Sequence, residues 1–235
     1  MLDSIYPILH FPMKILPEIF DFLLDLSDNN HREWFAEHKP SYQALHQQFK
    51  DFALEWENRM LEEDKVENLK VYRIYRDIRF SKNKTPYKNN FAASLSRMGA
   101  DRRGGYYFQL QPGDQSFMAG GFWGPNKEDL QRIREKIAAD PLPLRRILAG
   151  QNSRKLFGDL QGEKVKSAPR GYKKDHPAID LLRYKQFLLM RKFSDEEVLE
   201  ENFMDSLVES FRGVRPFFDY MSEVLTTDMN GMPLE

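Results

Sequence analysis

Seven lysines and arginines stand against one acid, Asp77, between Lys70 and Lys88, so these nineteen residues carry a formal charge of +6 in a chain whose total is −1. Within them the run RIYRDIRFSKNKTPYK sets Arg73, Arg76 and Arg79 at three-residue spacing and follows them with Lys84, Tyr87 and Lys88. Guanidinium groups offer paired donors that match the oxygens of a phosphate or carboxylate, and lysines add point charges. The chemistry predicted here is anion binding by Arg73, Arg76, Arg79, Lys84 and Lys88, with Asp77 and Tyr87 as candidate proton-transfer groups. An ordinary solvated strand face with ion pairs is the competing reading, because charged networks are often only structural.

Two further segments join this candidate site. AGGFWGPN, Ala119 to Asn126, places Gly120, Gly121 and Gly124 beside Trp123 where a strand gives way to a helix. Glycines admit close backbone approach, and free N–H groups in a first helical turn favour an anion. A tight turn packed by Phe122 and Trp123 would use the same residues. KSAPRGYKKDHPAID, Lys166 to Asp180, brings Lys173, Lys174 and His176, the one histidine beyond the first fifty residues. His176 is a candidate general base, or a cap at a helix start.

Other chemistries are excluded or disfavoured. Zero cysteines remove disulfides, thiol catalysis and thiolate metal sites, and fit a reducing compartment, with the cytoplasm as the expected location. His31, His38 and His46 would stack along one helical face, but Pro40 interrupts it and no close histidine pair exists, so no metal is expected. YRDIRFSKN compares with the kinase pattern H-R-D-L-x-x-x-N, yet Lys82 holds the asparagine position and no glycine-rich loop or D-F-G accompanies it. Neither G-x-S-x-G nor G-x-G-x-x-G occurs, and the sequence indicates no cofactor. No apolar run approaches a membrane span, and the start MLDSIYPILHFPMK has no cations ahead of its apolar run, so neither a membrane partner nor a secretory signal is expected.

The elements that must position these residues follow from periodicity. Pro17 opens a first helix, which the polar run from Ser27 to Asn30 stops. Asn30 with Glu33 is predicted to cap a short helix from His31 to about Glu37, and Pro40 to restart the chain in a longer one. In that longer helix Tyr42, Leu45, Phe49, Phe52, Trp56 and Met60 form a core stripe. From about residue 69 the period becomes two. A strand over 70 to 80 would turn Tyr72, Ile74, Ile78 and Phe80 inward, leaving Arg76 as a parity break that demands a carboxylate or a bulge.

Further strands are predicted at 91 to 96, 105 to 111 and 115 to 120, the last two joined by Pro112-Gly113-Asp114. Helices follow from Pro125-Asn126 and between Pro141 and Gly150. Residues 151 to 176 read as irregular, His176-Pro177 starts a short helix, and 186 to 190 return as a strand. A Ser194/Glu197 capping box launches acidic C-terminal helices broken near Gly213 and Pro216. The expectation is one α+β domain over 1 to 235: an antiparallel meander packed by N-terminal and C-terminal helices.

The run from Arg73 to Lys88, A-G-G-F-W-G-P from Ala119 and A-P-R-G-Y-K-K-D-H-P from Ala168 together resemble a bacterial and fungal family known as domain of unknown function 2461, over about residues 14 to 225. The resemblance implies that Arg73, Arg76, Asp77, Arg79, Phe80, Ser81, Lys84, Thr85, Pro86, Tyr87 and Lys88 match its first signature, and His176 and Pro177 its last. Phe122 stands where members often have a third small residue. No activity comes with it.

The expected function is thus an anion-binding pocket, possessed by an enzyme or a sensor of a phosphorylated or acidic small molecule. Two rivals stand beside it. One is nucleic-acid binding, with Tyr75, Tyr87 and Trp123 stacking on bases. The other is structural: from Phe193 to Glu235 eleven acids face two arginines, and that −9 segment could neutralise the +6 one within the chain or across a dimer.

Overall fold

The computed structural model describes residues 13–79, 81–228 and 231–233. Phe80 and the start of the chain, on which two of the expectations above rest, lie outside them. Two helices come first, α1 (Pro17–Asp28) and α2 (Arg32–Glu63). Four strands follow, β1 (Val66–Val71), β2 (Phe91–Arg97), β3 (Gly105–Leu110) and β4 (Ser116–Phe122). A helical excursion then runs through α3 (Lys127–Ala139), α4 (Leu142–Ala149), α5 (Gln151–Phe157) and α6 (Ile179–Leu182) before β5 (Phe187–Phe193), α7 (Asp195–Leu199) and α8 (Phe203–Thr226).

The sheet order is β1-β2-β3-β4-β5, and every neighbouring pair is antiparallel. The architecture is α+β, with the helices from both ends of the chain packed on the sheet.

Strand alternation decides which side those helices cover. Phe91, Ala93, Leu95 and Arg97 of β2, Tyr106, Phe108 and Leu110 of β3, and Ser116, Met118, Gly120 and Phe122 of β4 all turn to one face and are buried or close-packed there. Against that face lie Phe49, Phe52 and Trp56 of α2 and Phe211, Val214 and Phe218 of α8. Trp56 meets Phe108 edge-on at 4.8 Å, and Tyr106 meets Phe218 at 5.0 Å. Each fully buried ring contributes roughly 1.5–3 kcal/mol relative to exposure.

The helix boundaries correct the sequence reading at four places. α2 does not restart at Pro40 but carries it inside one helix of 32 residues. Phe35 on one side of the proline packs on Tyr42 on the other at 5.2 Å, so core packing on both flanks outweighs the missing N–H. The cap of α2 is His31, whose Nδ1 accepts from Trp34 N at 3.4 Å, rather than Asn30. α8 likewise continues through Gly213 and Pro216, because Phe211, Val214, Phe217, Phe218 and Met221 all bury on the same core. Gly213 serves an approach instead of a break: a Cβ there would stand 2.7 Å from Leu156 of α5. That helix is itself the fourth correction, occupying the first part of a stretch read as irregular.

The turns behaved as their chemistry predicts. Gly113 and Asp114 take φ of 78° and 58° between β3 and β4. The Asp195 carboxylate accepts from both their N–H groups, at 2.7 and 3.0 Å. Ser194 and Glu197 form the reciprocal capping box.

Candidate functional site

The cation-rich run is not a continued strand. β1 ends at Val71, and after Tyr72 N donates to Ala92 O at 2.9 Å the chain leaves the sheet. It then doubles back on itself. Arg76 N donates to Pro86 O at 2.9 Å, Lys88 N to Ile74 O at 2.8 Å, and Tyr75 bridges Tyr87. The alternation of exposure survives in this neck, since Arg73, Tyr75, Asp77 and Arg79 are exposed, but of the described residues expected in the core only Ile74 is buried there, while Tyr72, Arg76 and Ile78 are half-buried. A ladder partner for a full strand is what it lacks: β2 pairs with β1 only as far as Val71.

Tyr87 anchors the neck. Its ring is buried and stacks on Phe35 at 4.0 Å, while its backbone is held by the Asn30 side chain. The tip is held together by its own polar groups. Asn83 Oδ1 accepts from Thr85 N at 2.9 Å and from Thr85 Oγ1 at 2.8 Å, and Lys84 Nζ donates to Ile78 O at 2.9 Å. Arg79 grips Asp77 with Nε at 3.0 Å and Nη2 at 2.6 Å, and these bonds hold the Asp77 carboxyl down at about 2.

Beside this loop the sheet presents its second face. Three rungs cross it: Ala92, Gln109 and Phe117; then Ser94, Tyr107 and Ala119; then Ser96, Gly105 and Gly121. Small residues predominate, so the face is hollowed into an open cavity of about 650 Å³. Tyr72, Tyr107, Phe117, Trp123 and Leu188 wall it, and Arg76, Lys88 and Asn90 stand at the loop end. The Tyr72 hydroxyl is 3.2 Å from Ser94 Oγ, and Tyr72, Tyr107 and Phe117 contact one another in sequence at 6.0 and 5.6 Å. Burial pushes the Tyr107 hydroxyl up to about 12, so it stays protonated and donates to Gln109 Oε1 at 2.9 Å.

The loop end is electrostatically unbalanced. The parity of Arg76 called for a carboxylate or a bulge; the strand has instead ended at Val71, and among the described residues Arg76 has no carboxylate partner. Its Nη2 reaches only Tyr87 O at 3.4 Å, and its Nε is buried without a hydrogen-bond partner. Lys88 Nζ donates to Arg73 O at 3.0 Å and lies 5.4 Å from the Tyr72 ring centre. Burial, and then the charges of Arg73, Arg76 and Lys70, lower the Lys88 pKa.

Among the described residues none of Lys70, Arg73, Arg76, Lys82, Lys84 and Lys88 makes an ion pair. Acids of the C-terminal segment are answered elsewhere: Asp205 by Arg59, Glu197 by Arg191, and Asp219 by Arg97.

The structure gathers some of the sequence-predicted residues and separates others. Arg76, Lys88, Gly121 and Trp123 line the one cavity, whereas Asp77, Arg79, Lys84 and Arg73 belong to the loop outside its lining. Gly120 faces the core, where a Cβ would meet Val214 Cγ1 at 2.6 Å; Gly121, at φ 154°, would meet Phe187 O at 2.2 Å. Both glycines are therefore required by the protein's own packing. The first turn of α3 carries a cap of its own, Asn126 Oδ1 accepting from Asp129 N at 2.7 Å, and Asp129 pairs with Arg103.

His176 Nδ1 accepts from Ala178 N at 3.1 Å, and its ring stands edge-on to Tyr172. Lys173 is exposed on the same segment, which lines a different hollow of about 290 Å³ with Lys166, Lys174 and Arg183.

Sequence reasoning missed Ser94, Ser96, Tyr107, Gln109 and Phe117. Their signal was the second parity of β2, β3 and β4, polar or small where the first parity is apolar. It also missed a buried charge cluster on the helix side of the sheet. Arg97 Nε donates to Asp64 Oδ2 at 2.6 Å, both side chains being 2% exposed, and the Tyr106 hydroxyl donates to the same oxygen at 2.7 Å. Arg97 Nη1 reaches Ser222 Oγ at 3.1 Å, and Arg215 lies 3.4 Å from Asp64. Arg97 continues the core parity of β2, which was the available clue.

Among the described residues no helix is long and apolar enough to cross a membrane, and no group of three or more histidine, aspartate or glutamate side chains is placed to hold a metal ion. A family described as conserved hypothetical protein (DUF2461) matches residues 18–220. No curated protein and no solved structure matches the chain.

Proposed function

Because the chain belongs to the conserved hypothetical protein (DUF2461) family, whose description names no activity, we propose from geometry that it binds an anionic small molecule in the open-face cavity, through Arg76 and Lys88. One observation carries this reading. Arg76 is half-buried at the cavity and, among the described residues, faces no carboxylate and has a buried Nε with no partner. An unpaired buried charge is costly, and an incoming phosphate or carboxylate would remove that cost. Lys88 fits the same reading: burial first, and then the charges of Arg73, Arg76 and Lys70, lower its pKa, and a bound anion would offset both effects.

Binding is favoured over acid–base catalysis. Among the described residues no carboxylate or histidine lines the cavity, Asp77 is committed to Arg79, and the Tyr87 ring is in the core. The setting that fits is the cytoplasm, in keeping with a chain that contains no cysteine.

The test is a thermal-shift series with phosphate, sulfate, dicarboxylates and sugar phosphates on wild type and Arg76→Ala. A ligand at a hundred times its dissociation constant stabilises by about 2.7 kcal/mol. A shift in wild type that Arg76→Ala loses supports the reading; equal responses of the two proteins would end it.

A further inference from the structure

The cavity has a second end, and its shape narrows the ligand. Ser96 pairs with Gly105, and Gly105 with Gly121, so one rung of the open face carries a hydroxymethyl group and two hydrogens. The result is a trench whose floor is largely backbone. Tyr107 walls one side, Leu188 closes the β5 end, and Trp123, 60% exposed, stands at the margin. The Ser96 hydroxyl makes no hydrogen bond within the protein among the described residues, which leaves a donor and acceptor for a polar ring edge.

Tyr72, whose ring lies 5.4 Å from Lys88 Nζ, donates its N–H to Ala92 O, and four residues of β2 separate that rung from the Ser96 rung, a distance of about 13 Å at strand rise. A ring bearing its own carboxylate is too short to use both ends. A base joined through a sugar to a chain of phosphates has the required span.

We propose that the ligand is a nucleotide, its base lying in the Ser96–Gly105–Gly121 trench beside Trp123 and its phosphates held by Arg76 and Lys88; this rests on the anion-binding reading above. The free nucleotide is favoured over one residue of a single strand. A strand requires cations along its whole track, and here the cavity's cations are confined to one end.

Trp123 supplies the readout. Of the three tryptophans, Trp56 is fully buried and Trp34 is stacked on His38 at 3.9 Å, so Trp123 alone is positioned to be quenched by a stacked base. The experiment titrates wild type, Trp123→Ala and Arg76→Ala with ATP, inorganic triphosphate, adenosine and short oligonucleotides of one to eight residues. Fluorescence and melting temperature are followed together.

ATP is expected to quench and stabilise, and triphosphate to stabilise without quenching. Trp123→Ala should weaken ATP by about tenfold while leaving triphosphate unchanged. Arg76→Ala should weaken both. Triphosphate binding as tightly as ATP, or ATP affinity unchanged in Trp123→Ala, would overturn the nucleotide and leave the anion site standing. No binding of any anion would overturn both. Affinity rising steadily with oligonucleotide length would replace the free nucleotide with a strand.

Discussion

Asn30 holds Tyr87 by both of its backbone groups: its Oδ1 accepts from Tyr87 N at 3.1 Å, and its Nδ2 donates to Tyr87 O at 3.2 Å. The two residues are 57 positions apart. This clamp ties the cation-bearing loop to the junction of α1 and α2, so the placement of Arg76 and Lys88 is set by a side chain that seemed suited to capping a helix.

Replacing Asn30 by alanine removes both bonds and leaves the Tyr87 N–H unpaired. The expected loss is about 1–3 kcal/mol, a fall in melting temperature of several degrees. Hydrogen exchange should accelerate between Arg73 and Lys88 and stay unchanged in β2 to β4. Uniform acceleration throughout the chain would show that Asn30 supports the whole fold instead of this loop.

Gly120→Ala should destabilise, because its new methyl would stand 2.6 Å from Val214 Cγ1 on α8. Overpacking of this kind costs about 1–3 kcal/mol. Val214→Ala in the same protein should recover part of the loss, measured as a coupling in a double-mutant cycle. Additive losses would mean that Gly120 answers to something other than α8.

The Asp64–Arg97 pair gives a pH prediction. Burial alone would raise the Asp64 pKa, but hydrogen bonds from Arg97 and Tyr106 and the charges of Arg97 and Arg215 outweigh it and hold the carboxyl below its usual value. A carboxyl depressed in the folded state contributes stability in full above its unfolded pKa of about 3.9 and loses it as pH falls through the folded value. Arg97→Met, which leaves Asp64 without its principal partner, should cost about 3–5 kcal/mol near pH 7 and flatten the loss of stability below about pH 4. Urea unfolding at several pH values measures both.

Arg76 and Lys88 should behave oppositely to Arg97. Arg76→Met discards a buried donor with no partner, so stability should rise or change by less than about 1 kcal/mol while anion binding falls. Lys88 binds its proton less tightly in the folded state, so raising the pH should weaken anion binding sooner than an ordinary lysine would. Lys88→Gln should remove that alkaline limb. Calorimetric titration between pH 7 and 10 distinguishes the two proteins, and an identical pH profile in both would exclude Lys88 from the site.

Element types were legible because they depend on neighbours in sequence. The period-two runs of β2, β3 and β4, the Pro112-Gly113-Asp114 turn and the Ser194/Glu197 capping box each express a local preference that the fold keeps. The +6 charge of Lys70 to Lys88 was equally plain, since counting needs no contacts. Where a local rule met long-range packing, packing prevailed. Pro40 and Pro216 stay inside helices because rings on both sides of each bury in one core.

Only the tertiary structure decided which cations have a cavity to face. Arg76 and Arg79 look alike in the sequence, yet Arg79 turns outward onto Asp77, and Arg76 turns inward beside a sheet face hollowed by small residues. The hollow arises from rungs drawn from three strands, Ser96, Gly105 and Gly121 among them, and strand register is fixed by pairing across the sheet rather than by any one segment. For the same reason His176, adjacent to a carboxylate in sequence, ends as a backbone acceptor on a segment outside the cavity lining. Spacing along a chain sets the direction of a side chain relative to its neighbours; the partner it meets depends on where the other strands and helices come to rest.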